Sequence, residues 1–210
     1  GKGIKLSTSL RASEDRLRGN FTVTNPNFNY SDKALNTDIF LTDTDKLSDS
    51  GYKSTNAGFS LGTGFEQYDD LFFRPTIRTT YEDLTTNSSA SANLKKQKGT
   101  YFTTDVGYTL NYDKRNQKFQ TSDGFQSKFI QNIPIISESD TLLNGYQFDT
   151  YHSFDTTTSS LGLYLRAVTG LSDDVRISER LNLPRKRLRG FESGKIGPVD
   201  ANDHVGGNYA

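Results

Sequence analysis

Residues 102–112 read Phe-Thr-Thr-Asp-Val-Gly-Tyr-Thr-Leu-Asn-Tyr and show the pattern from which the fold is predicted. Its even positions are apolar, aromatic or threonine, whereas its odd positions are polar or glycine. Successive side chains of a β-strand point to opposite faces of the sheet. The alternation therefore predicts a strand with one apolar face and one polar face.

The same period-two pattern recurs along most of the chain. Eight further runs lie at 4–11, 17–24, 35–42, 57–65, 73–82, 125–133, 146–154 and 161–168. The apolar faces of the nine runs carry no Asp, Glu, Lys or Arg, whereas the polar faces carry eleven. Because turn-like links separate the runs, we predict nine antiparallel strands joined in chain order.

Composition excludes several classes of function. The chain has 210 residues, and 25 Lys plus Arg against 25 Asp plus Glu give zero formal net charge, so nothing favours a nucleic-acid partner. The absence of cysteine excludes disulfides and thiolate metal sites, and 2 histidines leave little for metal ligation or relay catalysis. We predict no metal, no cofactor and no catalytic residue, so the protein is not expected to be an enzyme.

The start of the chain is unusual, because it opens with Gly1-Lys2-Gly3 and methionine is absent throughout. These features predict a processed chain or an internal fragment. The 210 residues contain no apolar stretch of about 18 residues, so no transmembrane helix is predicted in them. They also contain no charged segment followed by an apolar one, so no signal peptide is predicted in them. These absences do not exclude a membrane location, because a β-barrel strand carries its apolar residues at alternate positions and forms no continuous apolar stretch.

Alternation alone does not separate a membrane β-barrel from a soluble β-sandwich binding module. Three features favour the barrel. Most runs approach the ~9–11 residues that a bilayer requires, the polar faces are built from small residues suited to a wet lumen, and aromatic residues lie near the run ends, as in interfacial girdles. Those aromatic residues are Phe65, Phe73, Tyr81, Phe102, Tyr112, Tyr146 and Phe154.

The segment 171–205 is far longer than any other link, and links above ~12–15 residues without regular structure are usually functional. It contains Arg187-Leu188-Arg189-Gly190-Phe191-Glu192 and then Gly197-Pro198-Val199-Asp200, and Gly206-Gly207-Asn208 follows. Glycine between Arg189 and Phe191 predicts a tight turn that projects both side chains. An arginine in such a turn can bind a carboxylate through two hydrogen bonds. The basic run Arg185-Lys186-Arg187 is too short to indicate nucleic-acid binding, and it favours a solvated or lipopolysaccharide-facing loop.

These loop motifs resemble the sixth extracellular loop of the BamA family of outer-membrane protein assembly factors. Val23-Thr24-Asn25-Pro26-Asn27-Phe28 and Thr121-Ser122-Asp123-Gly124 resemble two turns of the same family. The resemblance implies an all-β, antiparallel up-and-down transmembrane β-barrel, present in part, with about nine to ten strands of about sixteen. Residues 4–170 would hold strands, 171–205 would form loop six, and 206–210 would begin the next strand.

The resemblance further implies a bacterial outer-membrane protein that folds and inserts other outer-membrane proteins. Its expected partners are the lipoprotein subunits of the assembly complex, unfolded outer-membrane protein clients and membrane lipid. The implied site residues are Arg189, Gly190, Phe191, Gly197, Pro198 and Asp200. In the family the loop arginine reaches the lumen and pairs with acidic residues on later strands, which here would fall beyond Ala210.

A related translocation barrel, TamA-like or a two-partner secretion transporter, is the alternative, because these proteins also carry an Arg-Gly loop motif. The soluble β-sandwich is a third possibility. By themselves, the 210 residues are expected to form an open, curved sheet with two unpaired edges, because the implied barrel needs further strands to close.

Overall fold

Nine antiparallel strands form one sheet in strict chain order in the computed structural model. The structure describes residues 3–31, 33–138, 140–183, 187–192, 194–200 and 203–210. The strands are β1 Lys5–Ala12, β2 Arg16–Asn25, β3 Ala34–Lys46, β4 Tyr52–Tyr68, β5 Leu71–Thr86, β6 Gly99–Asp113, β7 Gly124–Ser137, β8 Thr141–Phe154 and β9 Thr157–Gly170. Each predicted run overlaps a strand of its own, so the predicted up-and-down fold is confirmed.

In the described residues, the regular structure outside the sheet is limited to short pieces. A helix, α1, spans Ala92–Lys96, and a single 3-10 turn spans Phe28–Tyr30. The two-residue strands β10 Val199–Asp200 and β11 Asp203–His204 pair with each other within the long loop. The sequence carries no helical signal for α1, because five residues are too few for a 3.6-residue period to stand out. Among the described residues, no helix has the length and apolar character needed to cross a bilayer.

The sheet is open, because no strand in the described part of the chain joins β1 to β9. The first edge is unpaired, as predicted, since β1 pairs with β2 alone. The prediction of a second unpaired edge is wrong in part, because the end of the chain lies along β9. Val168 N donates to Asn208 O over 2.8 Å, and Arg166 and Ala210 exchange two backbone hydrogen bonds of 2.7 and 2.9 Å.

The apolar face of the sheet is exposed along its length. Leu61 and its register partner Ile77 expose 43 and 50 % of their surface, and Leu163 exposes 45 %. No second layer covers this face in the described ranges, so the β-sandwich alternative is wrong. An apolar face of this size left uncovered is typical of contact with lipid, where hydrocarbon replaces a protein core.

Aromatic residues form a row on the apolar face, and two of its four members, Phe65 and Phe73, are among the residues assigned to the predicted girdles. Phe65 and Phe73 pack edge to face with their ring centroids 5.8 Å apart. The row continues to Tyr108 on β6 at 6.1 Å and from there to Phe129 on β7 at 6.0 Å. Edge-to-face and tilted pairs of this kind stabilise neighbouring strands by about 0.5–1.5 kcal/mol each.

The turn before β7 depends on glycine at position 124, where φ is +92°. A Cβ added there would lie 2.2 Å from the carbonyl oxygen of Lys114. We therefore expect Gly124→Ala to lower the free energy of unfolding by about 1–3 kcal/mol, through both the left-handed backbone and the clash. The urea midpoint of the refolded protein measures this loss.

Gly190 provides the matched control, because its φ is +87° and a Cβ added there would have no other atom within 4 Å. Gly190→Ala carries the backbone penalty without the clash, so its effect should be clearly smaller. Equal losses in the two variants would contradict a role for the close approach at Gly124.

Candidate functional site: the docked loop

The base of the long loop is buried against the polar face of the sheet. Val175, Arg176 and Ile177 are each at least 95 % buried. Ile177 belongs to the small apolar core of the molecule. The other members of that core are Tyr52, Leu84, Ala90, Leu94 and Val205, with Tyr101 packed against them. The core joins β4, β5, α1 and both ends of the loop, so it fixes the loop base on the sheet.

Arg176 is the central polar residue of this base. Its Nη2 donates to Glu179 Oε1 over 2.9 Å, and its Nη1 lies 3.4 Å from Glu82 Oε2. The guanidinium also stacks on Tyr101, with its central carbon 4.0 Å from the ring centroid. Burial lowers the pKa of Arg176, but the hydrogen bond to Glu179 and the charge of Glu82 outweigh it and raise that pKa above its ordinary value. Arg176 is therefore a buried, permanently charged group held by two carboxylates.

The two carboxylates connect Arg176 to three strands. Glu82 on β5 accepts hydrogen bonds from Ser54 Oγ at 2.6 Å and from Ser178 Oγ at 3.1 Å. Glu179 accepts one from Thr141 Oγ1 on β8 at 2.8 Å. A buried carboxylate is stable only when its oxygens are satisfied in this way. The loop base and strands β4, β5 and β8 thus form one polar cluster.

The helix α1 holds both the first and the second half of the loop. The Ser91 side chain caps α1 and also donates to Asp200 Oδ2 over 2.5 Å. At the other end of α1, Gln97 Oε1 accepts the backbone N–H of Ile177 at 2.8 Å. The short helix therefore binds the loop at two points that lie far apart in the sequence.

The link between β3 and β4 holds the rim of the loop. Lys195 Nζ donates to Asp49 Oδ1 over 2.9 Å, and this hydrogen bond raises the pKa of Lys195. His204 N donates to the carbonyl oxygen of Asp49 over 3.1 Å. At Gly51, φ is +70° and a Cβ would lie 2.7 Å from the carboxylate of Asp203, so glycine permits this close approach.

The structure divides the predicted site residues into two groups. Asp200 is docked through Ser91, and the carbonyl oxygen of Pro198 accepts the N–H of Val205 over 3.1 Å.

Arg189, Gly190 and Phe191 instead lie on the surface, and Phe191 exposes 57 % of its surface. The positive φ angle at Gly190 matches the predicted turn, and Gly197 also adopts a positive φ angle. In the described part of the chain Arg189 forms no ion pair, so its expected lumenal contact stays a prediction. Arg185 and Lys186 lie outside the described residues.

A different arginine of the motif contacts the sheet. Arg187 Nη1 lies 3.9 Å from Asp149 Oδ1 on β8, and its guanidinium carbon lies 5.0 Å from the ring centroid of Tyr164 on β9. Gly162 is the register partner of Asp149, and a Cβ there would lie 2.8 Å from the Asp149 carboxylate and 3.4 Å from Arg187. The missing side chain at Gly162 thus leaves space for the pair.

Neither Arg176 nor Arg187 is predicted from the sequence as a contact residue. For Arg176, the one signal was a lone arginine between two apolar residues with Glu179 three positions later. For Arg187, no local signal existed, because its contacts depend on the register between β8 and β9.

An ordered set of antiparallel strands, apolar on one face and carrying a docked loop on the other, defines the wall of a membrane β-barrel. The model of the Omp85 superfamily domain matches residues 1–210. The chain therefore belongs to the Omp85 superfamily, and its sheet is part of an outer-membrane β-barrel.

A solved structure shows the same fold. BamA from Haemophilus ducreyi, crystallised without POTRA domains 1–3, superposes with a TM-score of 0.87 over 99 % of this chain at 18 % sequence identity. This chain spans 46 % of that BamA chain. No curated protein matches the chain. The BamA resemblance inferred from the motifs is thus confirmed for superfamily and fold, and the sheet is a partial barrel of the BamA type.

Proposed function

We propose that this chain is part of an outer-membrane assembly factor that folds and inserts other outer-membrane proteins. The observation that carries the proposal is the docked loop, whose base is buried on the polar face while Arg189-Gly190-Phe191 extends away from it. The proposed partners are unfolded outer-membrane proteins, the lipoprotein subunits of an assembly complex and lipid. The proposal assigns no catalytic step and no cofactor.

The proposed mechanism is physical. An exposed strand edge templates an incoming strand by β-augmentation, because its unpaired N–H and C=O groups supply a ready ladder of hydrogen bonds. A thin or mismatched barrel wall also perturbs the adjacent bilayer and lowers the cost of insertion. The docked loop would brace the lumen of the barrel during both steps.

Depletion of the complete protein in its host tests this function. We expect many unrelated outer-membrane barrels to lose their heat-modifiable, folded form together. Loss of secretion of one passenger protein, with barrel assembly intact, would instead support a TamA-like or two-partner secretion role and would contradict the proposal.

Replacing Arg189 by alanine tests the proposed brace. The proposed brace gives Arg189 a lumenal carboxylate partner in the complete barrel, and loss of that charge-assisted pair, about 1.5–3 kcal/mol, should slow barrel assembly about tenfold or more, while the protein itself still inserts. Assembly rate and protease resistance of the loop are the measurements. Full activity together with unchanged protease resistance would rule out the role of Arg189.

A further inference from the structure

Three arginines line one cavity on the polar face of the sheet. Arg16 and Arg18 lie two positions apart on β2, and Arg78 lies on β5. The cavity between them has a volume of about 250 Å³. The strands between β2 and β5 contribute a floor of hydroxyl and amide groups: in register, Arg18 faces Thr42 and Arg16 faces Thr44.

The one acidic residue in the register row of Arg18 has other partners. Glu82 lies in the same register row as Arg18, but its oxygens accept from Ser54 and Ser178 and face Arg176. No Asp or Glu is among the residues that line the cavity. In the described ranges, none of the three arginines has an ion-pair partner within 4.0 Å.

Arg78 does not pair even with the carboxylate that lies next to it in register. Asp105 is its register partner across β6, yet no ion pair joins the two. The Arg78 guanidinium instead stacks on Phe40, with its carbon 4.3 Å from the ring centroid. Gly58 makes room for that ring, because a Cβ at this position would lie 2.7 Å from Phe40 Cζ. The stacking holds the guanidinium over the cavity.

Three guanidinium groups around one cavity repel each other unless an anion neutralises them. Arginine presents several N–H donors in a planar fork that matches a phosphate or a carboxylate. The neighbouring hydroxyls can donate to the remaining oxygens of such a group, and Ser178 brings the docked loop to the cavity wall. We propose that this cavity is an oxyanion-binding site that takes a phosphate or carboxylate group of a ligand in the barrel lumen.

Calorimetric titration of the complete, folded protein in a non-ionic, phosphate-free detergent tests the site. One arm uses inorganic phosphate, and the second uses a hexaglutamate peptide, which separates a free phosphate from a carboxylate-bearing chain. We expect saturable, one-site binding of at least one probe. Arg18→Gln and Arg78→Gln should each weaken that binding by about tenfold, because each removes one charge-assisted fork.

Arg74→Gln is the matched control, because Arg74 lies on the polar face of the same strand but outside this cavity. It should change the affinity by less than about twofold. Heat-modifiable gel mobility checks that each variant folds. The proposal is overturned if neither probe binds saturably to the folded protein, or if Arg74→Gln weakens binding as much as Arg18→Gln and Arg78→Gln.

Discussion

Replacing Arg176 by alanine should release the loop base and lower the free energy of unfolding by about 3–5 kcal/mol. Arg176 is 5 % exposed and its guanidinium is the cation between Glu82 and Glu179, so its removal leaves two carboxylates without their counter-charge. It also removes the stacking on Tyr101. Chemical unfolding of the complete protein in lipid measures the loss, and limited proteolysis within 171–205 reports the released loop.

Lys195 provides the control for this experiment, because it is a second cation of the same loop in an ion pair at the exposed rim with Asp49. Lys195→Ala should leave the unfolding midpoint unchanged, since solvent screens exposed pairs. Equal protease sensitivity in the two variants would show that Arg176 does not anchor the loop.

Placing a charge on the apolar face should have an effect of similar size. Ile39 lies midway along β3 and exposes 59 % of its surface. In a bilayer, Ile39→Arg should cost about 2–4 kcal/mol, because no water is present to solvate the guanidinium at that depth. Refolding into lipid vesicles, followed by heat-modifiable gel mobility, measures the fraction that inserts.

Asn36→Arg is the control on the polar face of the same strand. Asn36 accepts a hydrogen bond from Thr24 Oγ1 at 2.9 Å, so its replacement should cost only about 1 kcal/mol. If Ile39→Arg inserted as well as Asn36→Arg, the apolar face would not be the lipid-facing side.

The strands could be predicted from sequence because the requirement that creates the pattern is local. A strand with lipid on one side and a wet lumen on the other must alternate at every residue, as residues 102–112 do within β6. The short helix α1 was not predictable in the same way. It is held by the Ser91 cap and by contacts with the loop, not by a periodic pattern.

The loop could be located from sequence, but its contacts could not be predicted. Its length and its glycines marked 171–205 as the candidate site, and Gly190 and Gly197 do adopt positive φ. The motif indicated Arg189, whereas the structure buries Arg176 and places Arg187 against Asp149. The surroundings of an arginine decide whether it is exposed or paired, and the motif does not encode them.

The sequence alone determined the strand order, the two faces and the position of the loop, because side-chain alternation and turn residues act over a few neighbours. Which groups meet at the loop base depends on how distant parts of the chain fold together. The Ser178 hydroxyl contacts Glu82 across 96 positions, and Ser91 contacts Asp200 across 109. Such pairs depend on strand register and on packing of the small apolar core, and no local pattern encodes either of them.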